Sequence, residues 1–64
     1  MKIKQFKVGK IYKNKSTDRI FLLLSLPEQI KDTRAFKMTF LDEAGIQKVN
    51  HSEWFLTQWV EEVK

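Results

Sequence analysis

A short cluster of turn-forming residues separates the first two apolar segments of the chain. In "FKVGKIYKN", apolar residues alternate with lysines except at Gly9, which predicts a strand from Lys7 to Lys13 with a kink at the glycine. The polar residues 14–18 have the composition of a hairpin loop. The first strand is therefore expected to pair antiparallel with the segment that follows it.

The most apolar segment, "RIFLLLSLPE", carries apolar side chains on both faces of a strand. Its even-numbered positions from Ile20 to Leu26 lie on one face, and Phe21 and Leu23 lie on the other. The proline near its end argues against a helix. Apolar residues on both faces are typical of a central strand that is covered twice. We therefore expect the core on one side of this strand and a second covering element on the other.

A polar loop and a hairpin are predicted in the middle of the chain. Residues 28–34 form the loop, with Ile30 as its apolar anchor and with room for one helical turn. In "AFKMTFLDEAGIQKVN", apolar and polar residues alternate before "DEAG", which is the period of a half-buried strand. Gly45 can adopt the positive φ of a tight turn, and a short strand is expected to return after it.

The C-terminal segment is compatible with two structures. Ser52 is a favourable helix N-cap, and the acidic residue after it suits the positive end of a helix. One structure is a continuous amphipathic helix from Glu53 to about Glu62. The other, which we favour, is a single helical turn over "SEWFLTQ" followed by a last strand, "WVEEV". In both structures the aromatic residues would cover the central strand.

These elements together describe a known small architecture. Four or five antiparallel strands, a kinked first strand, a polar loop and a short C-terminal helical turn predict a mainly β, partly open SH3-like barrel, formed as a single domain by residues 1–64. The segments "VGKIYKNKSTDRIFLLLSL" and "FKMTFLDEAGIQKVNHSEWFLTQW" resemble small, mostly uncharacterised proteins encoded by bacteriophages and prophages. The resemblance implies an SH3-like fold and a viral or mobile-element origin, and it implies no catalytic residues.

The composition limits the sites that the chain can form. It has no cysteine and one histidine, whereas a closed zinc site takes four nitrogen or sulfur ligands, so no metal site is expected. "MKIKQFKVGK" has no apolar run behind its lysines, and the longest apolar run, "IFLLL", is too short to cross a bilayer. We therefore expect no secretory leader, no membrane partner and a cytoplasmic location, which under the resemblance is the cytoplasm of a bacterial host.

His51 is the natural candidate for catalysis, because imidazole titrates near neutral pH. No serine or threonine is spaced as an activated nucleophile beside it. Glu61 and Glu62 are adjacent and cannot point at one spot from a strand, and the only two glycines are too far apart for a phosphate-binding loop. The sequence therefore predicts no enzyme and no cofactor.

Positive charge is concentrated in the first third of the chain. Residues 1–20 carry a net charge of +6 and residues 21–64 a net charge of −2. Such a surface can bind an anionic partner, although lysines also keep small proteins soluble and protect strand edges. The candidate nucleic-acid-binding residues are Lys7, Lys10, Tyr12, Lys13, Lys15 and Arg19. The cations would follow phosphates, Tyr12 and Phe6 would stack on bases, and weakly sequence-specific nucleic-acid binding is the alternative function.

The aromatic C-terminal segment supports the main functional prediction. Tryptophan is enriched among the residues that dominate protein–protein binding. Because the core is small, we expect Trp59 to be buried and Trp54 to remain partly exposed, and the simpler alternative is that both cover the core. The candidate protein-binding residues are His51, Glu53, Trp54 and Phe55. The sequence thus predicts a non-enzymatic binding module, under the resemblance a phage-encoded protein that docks on and modulates a host protein. Open strand edges would also allow a homodimer.

Overall fold

Antiparallel strands form one curled sheet in the computed structural model, which describes residues 1–64. The elements in chain order are a 3₁₀ helix (Ile3–Gln5), β1 (Ile11–Asn14), β2 (Arg19–Leu23), β3 (Glu28–Gln29), β4 (Ala35–Asp42), β5 (Gly45–Ser52), α1 (Glu53–Gln58) and β6 (Val60–Glu62). β4 pairs with β5 on one side and with β2 and β3 on the other, while β1 lies between β2 and β6. The sheet is a half-barrel that is open between β5 and β6, which confirms the predicted small SH3-like fold.

The β1–β2 hairpin forms as predicted, but its first strand is shorter. β1 begins at Ile11, and Gly9 lies in a turn before it with a φ of 85°. The glycine is therefore not a kink within a strand. Its N–H donates to the carbonyl oxygen of Leu23 at 2.9 Å, so the turn is held against β2. In the hairpin loop the Asn14 side chain accepts a hydrogen bond from the Ser16 N–H at 2.9 Å.

β2 is the central strand, yet only one of its faces is covered. Phe21 and Leu23 point into the half-barrel and are buried. On the other face, Ile20 is 57% exposed and Leu24 is 38% exposed. The expectation of a second covering element is therefore wrong. The reason is that α1 closes over the concave side, so nothing in the chain crosses the convex side.

The β4–β5 hairpin has the predicted turn and a longer second strand. Gly45 adopts a φ of 104° directly after the two-residue turn. β5 continues to Ser52, so His51 lies in this strand, opposite Phe36 of β4. The segment before β4 contains β3 in place of a helical turn, and Ile30 is half-buried there.

The chain ends with a helical turn and a strand, which confirms the favoured alternative. The Ser52 hydroxyl accepts a hydrogen bond from the Phe55 N–H at 3.1 Å and caps α1. The helix ends at Trp59, whose N–H donates to the Phe55 carbonyl oxygen at 2.8 Å. β6 then pairs with β1, with Val60 opposite Asn14. Neither helix of the structure is long and apolar enough to span a bilayer.

Neither tryptophan belongs to the core. The buried side chains are those of Phe6, Tyr12, Phe21, Leu23, Met38, Leu56 and Val60. Trp54 is 63% exposed and Trp59 is 38% exposed, so the expected burial of Trp59 is wrong. Val60 is the residue of β6 that points inward, and the alternation of a strand therefore directs its neighbour Trp59 outward. Leu56 and Val60, with half-buried Phe55, cover the concave side in place of the indoles.

Candidate protein-binding surface

Two exposed indoles lie side by side on the C-terminal segment. The ring centroids of Trp54 and Trp59 are 6.2 Å apart, and their planes meet at 62° in an edge-to-face arrangement. We call these two side chains the indole pair. Their backbone is held in place, because Leu56 between them is fully buried and Ser52 caps the helix. The indole pair is thus an apolar surface on a fixed segment.

The four predicted protein-binding residues do not form one patch. His51 and Phe55 stack on each other, with ring centroids 4.3 Å apart and an interplanar angle of 18°, and both line a cleft inside the half-barrel. Glu53 and Trp54 line a separate groove together with Arg34, on the other side of α1. Trp54 and Phe55 are consecutive residues of the six-residue helix α1, and consecutive helical residues point in different directions. The two side chains therefore face different surfaces.

The cleft was not predicted from the sequence. It has a volume of about 500 Å³ and lies where the half-barrel fails to close. Its apolar lining residues are Ile20, Phe21, Met38, Phe40, Phe55, Leu56 and Val60, and its polar ones are Asn14, Thr17, Arg19, Asp42 and His51. The alternation around Met38 and Phe40 predicted a half-buried strand and gave no sign of a cleft beside it. The cleft follows from the strand lengths in the structure, because the three residues of β6 do not close the barrel against the eight of β5.

The stability of the fold is expected to depend on pH through His51. Burial lowers the pKa of the His51 imidazole below its ordinary value of 6.5. Between the two values the unfolded chain binds more protons than the folded one, so the free energy of unfolding falls as the pH decreases through 6.5 and below. The charged residues that line the same cleft are Arg19 and Asp42.

The free energy of unfolding is measured by urea denaturation at about pH 8 and at about pH 5, and we expect the lower value at about pH 5. His51→Gln is expected to remove this part of the pH dependence while keeping a polar side chain at the position. A proton NMR titration of the native chain with a midpoint at or above 6.5 would contradict the assignment.

The structure rearranges the predicted nucleic-acid-binding residues. Tyr12 is fully buried and Phe6 is 4% exposed, so neither can stack on a base, and that part of the prediction is wrong. Lys13 lies between two carboxylates, with its Nζ 3.6 Å from Asp18 and 3.7 Å from Glu61. The remaining cations, Lys7, Lys10, Lys15 and Arg19, are exposed at the two ends of the β1–β2 hairpin. Of the predicted phosphate-binding cations, Lys13 is therefore occupied by carboxylates within the chain, and the other four form two separate groups.

No group of three or more histidine, aspartate or glutamate side chains lies close enough to hold a metal ion. Models of protein families, curated protein sequences and solved structures contain no match to the chain. The resemblance to small phage and prophage proteins therefore stays a prediction, and the functional argument depends on the geometry of the surface.

Proposed function

We propose that the chain is a non-enzymatic binding module that docks on another protein through the indole pair. The observation that carries the proposal is the exposure of two adjacent tryptophans on a capped, anchored helix. A phage or prophage origin, a bacterial host protein as the partner and a cytoplasmic location are parts of the same proposal. Modulation of that host protein would follow from occupying part of its surface.

The energetics of tryptophan support docking at this site. Removing a large aromatic side chain from water contributes about 1.5–3 kcal/mol, and tryptophans dominate many protein interfaces. Because Leu56 and the Ser52 cap already fix the backbone of α1, binding would lose little conformational entropy. Most of the free energy gained by burying the indoles would therefore contribute to the binding affinity.

The surroundings of Trp54 indicate the chemistry of a partner. Arg34 and Glu53 line the same groove as Trp54, and the Glu53 N–H donates to the Arg34 carbonyl oxygen at 3.3 Å. Charges of both signs therefore border the apolar ring. A matching surface would have an apolar pocket for the indole, with a carboxylate near Arg34 and a cation near Glu53.

The test compares Trp54→Ala with a matched variant on the opposite face. Ile46 is 67% exposed, close to the 63% of Trp54, so Ile46→Ala is the control. A protein captured from a bacterial lysate by the native chain is purified and titrated against both variants by calorimetry. We expect Trp54→Ala to weaken binding by about 30-fold or more, and Ile46→Ala to leave it unchanged. Equal affinity of the native chain and the Trp54 variant would contradict the proposal.

Nucleic-acid binding remains the second candidate because four cations of the hairpin have no carboxylate partner. Of the cations in residues 1–20, only Lys13 forms salt bridges. The double variant Lys10→Glu, Lys15→Glu separates the two functions. It should leave docking through Trp54 unchanged, whereas it should abolish binding to a DNA or RNA oligonucleotide at low salt. If nuclease treatment of the lysate prevented capture of the protein, and the lysine double variant also failed to capture it, the result would favour the nucleic-acid function.

A further inference from the structure

A row of aliphatic residues runs straight across the convex face of the sheet. Ile11 of β1 lies directly opposite Leu22 of β2, Leu22 opposite Leu41 of β4, and Leu41 opposite Ile46 of β5. Val63 extends the row beyond β6, because its N–H donates to the Ile11 carbonyl oxygen at 2.9 Å. The row therefore crosses the full width of the half-barrel without a polar interruption.

A second line of aliphatic residues crosses this row at its centre. Ile20, which also borders the cleft, precedes Leu22 on this face of β2, and Leu24 follows one residue after β2 ends. We call the seven residues Ile11, Ile20, Leu22, Leu24, Leu41, Ile46 and Val63 the aliphatic cross. All are exposed except Leu22, which is half-buried at the crossing point.

The aliphatic cross is large for a chain of this size. Six of its seven residues are at least 37% exposed, which makes it a contiguous apolar patch on the order of a few hundred Å², a size that often marks an interaction site. The two helices and the residues packed on the core lie on the concave side, so no part of the chain covers the cross. A sheet with both faces apolar needs a cover on each, and the second must come from outside the chain.

We infer that the aliphatic cross is an interface between two copies of this chain. The two copies would be related by a two-fold axis that lies in the plane of the contact, along the row of Ile11, Leu22, Leu41 and Ile46. A rotation of 180° about this axis places the second copy face to face on the first. Residues on one side of the row in one copy then face residues on the other side of the row in its partner. Leu22 then meets Leu22 of the second copy, and Ile20 meets Leu24. The central strand is therefore apolar and self-complementary along its outer face.

The charges beside the cross fit the same axis. Lys48 lies two residues beyond Ile46 on one side of the row, and Glu43 lies two residues beyond Leu41 on the other. Neither side chain forms a salt bridge within the chain. The two-fold rotation brings Lys48 of one copy to the Glu43 region of the other, so opposite charges meet on both sides of the row, at its β4–β5 end. An unrelated partner would have no reason to match this arrangement.

The area is sufficient for a dimer of moderate affinity. A standard interface buries about 800 Å² on each partner, which is about one sixth of the 4850 Å² that this chain exposes. The aliphatic cross would be the apolar centre of such an interface and its charged border the polar rim, whereas obligate dimers bury more. The dissociation constant is expected to be on the order of micromolar, so the dimer forms and separates with protein concentration. The indole pair lies on the C-terminal segment and is not part of the aliphatic cross, so we expect it to stay free in both states.

Sedimentation equilibrium over a wide range of protein concentration tests the dimer. The native chain is expected to shift from a mass of 7.7 kDa to twice that value. Ile46→Glu and Ile20→Lys place charges at positions that are 67% and 57% exposed, so the fold should persist by circular dichroism while dimerisation weakens at least tenfold. Trp54→Lys, 63% exposed on the other side, is the matched control and should dimerise like the native chain.

A charge exchange tests the orientation of the two copies. Lys48→Glu alone and Glu43→Lys alone would each juxtapose like charges and weaken dimerisation about tenfold, while the double variant would restore it. A mass of 7.7 kDa at every concentration would overturn the inference, as would a native-like dimer in Ile46→Glu. Failure of the double variant to restore dimerisation would overturn the two-fold axis. None of these results depends on docking through Trp54, so the proposed function is tested separately.

Discussion

Leu56→Ala is expected to lower the free energy of unfolding by about 2–5 kcal/mol, because it removes a fully buried side chain and leaves a cavity. A domain of this length has a total stability of about 3–10 kcal/mol, so this one change can unfold a large fraction of the molecules. Leu56 is the only fully buried residue of α1, and it holds the helix on the core. Urea denaturation followed by far-UV circular dichroism measures the effect.

Trp54→Ala provides the control for this prediction on the same helix. Its indole is larger than the leucine side chain but is 63% exposed, so its loss should change stability by less than about 1 kcal/mol. If the indoles covered the concave side, Trp54→Ala would lower the free energy of unfolding more than Leu56→Ala does. A Trp54 variant that is less stable than the Leu56 variant would therefore contradict the packing described for α1.

Tyr12→Ala is expected to be the second severe change, with a loss of about 3–5 kcal/mol. Tyr12 is fully buried between Phe6 and Phe21, with ring centroids 5.0 Å and 5.9 Å away. Phe21 in turn lies 4.7 Å from Phe40 by the same measure, so the four rings form a continuous row through the core. Removing the second ring would eliminate the packing that links Phe6 of the N-terminal segment to Phe21 of β2.

Tyr12→Phe isolates the contribution of the hydroxyl group. The hydroxyl accepts a hydrogen bond from the Lys7 N–H at 2.8 Å, and the phenylalanine variant leaves that partly buried donor without its partner. The expected loss is about 1 kcal/mol, and the ring packing should remain. The matched control is Ile20→Ala on the neighbouring strand, where the side chain is 57% exposed and a small effect is expected. A tyrosine that stacked on bases would instead be exposed, and both Tyr12 variants would then be as stable as the native chain.

Local patterns along the chain were sufficient to predict most of the strands and turns. The alternation from Phe36 to Phe40 specified which residues of β4 face inward, because side chains of a strand alternate between its faces. Gly45 marked the tight turn, and Ser52 marked the start of α1. Each of these features depends on the conformational preference of a few neighbouring residues, which is why no tertiary information was needed.

The candidate binding surface depended on longer-range packing and was predicted only in part. The residues named for protein binding lie on or beside α1, but His51 of β5 and Phe55 of α1 line the cleft, whereas Trp54 lines a separate groove. Tyr12, named for base stacking, is in the core. An aromatic residue suits both a core and a binding surface, so its type alone does not distinguish the two positions.

The sequence by itself determined that the chain forms short antiparallel strands with a helical turn before the last, and that β2 carries apolar residues on both faces. Only the tertiary structure decided which of those faces is covered. The side of the sheet on which α1 packs follows from the curl of the whole sheet and from the position of Leu56 relative to distant strands, neither of which is encoded in the periodicity of any one segment. For the same reason the indoles of Trp54 and Trp59 lie at the surface, and the aliphatic face of β2 remains in contact with water.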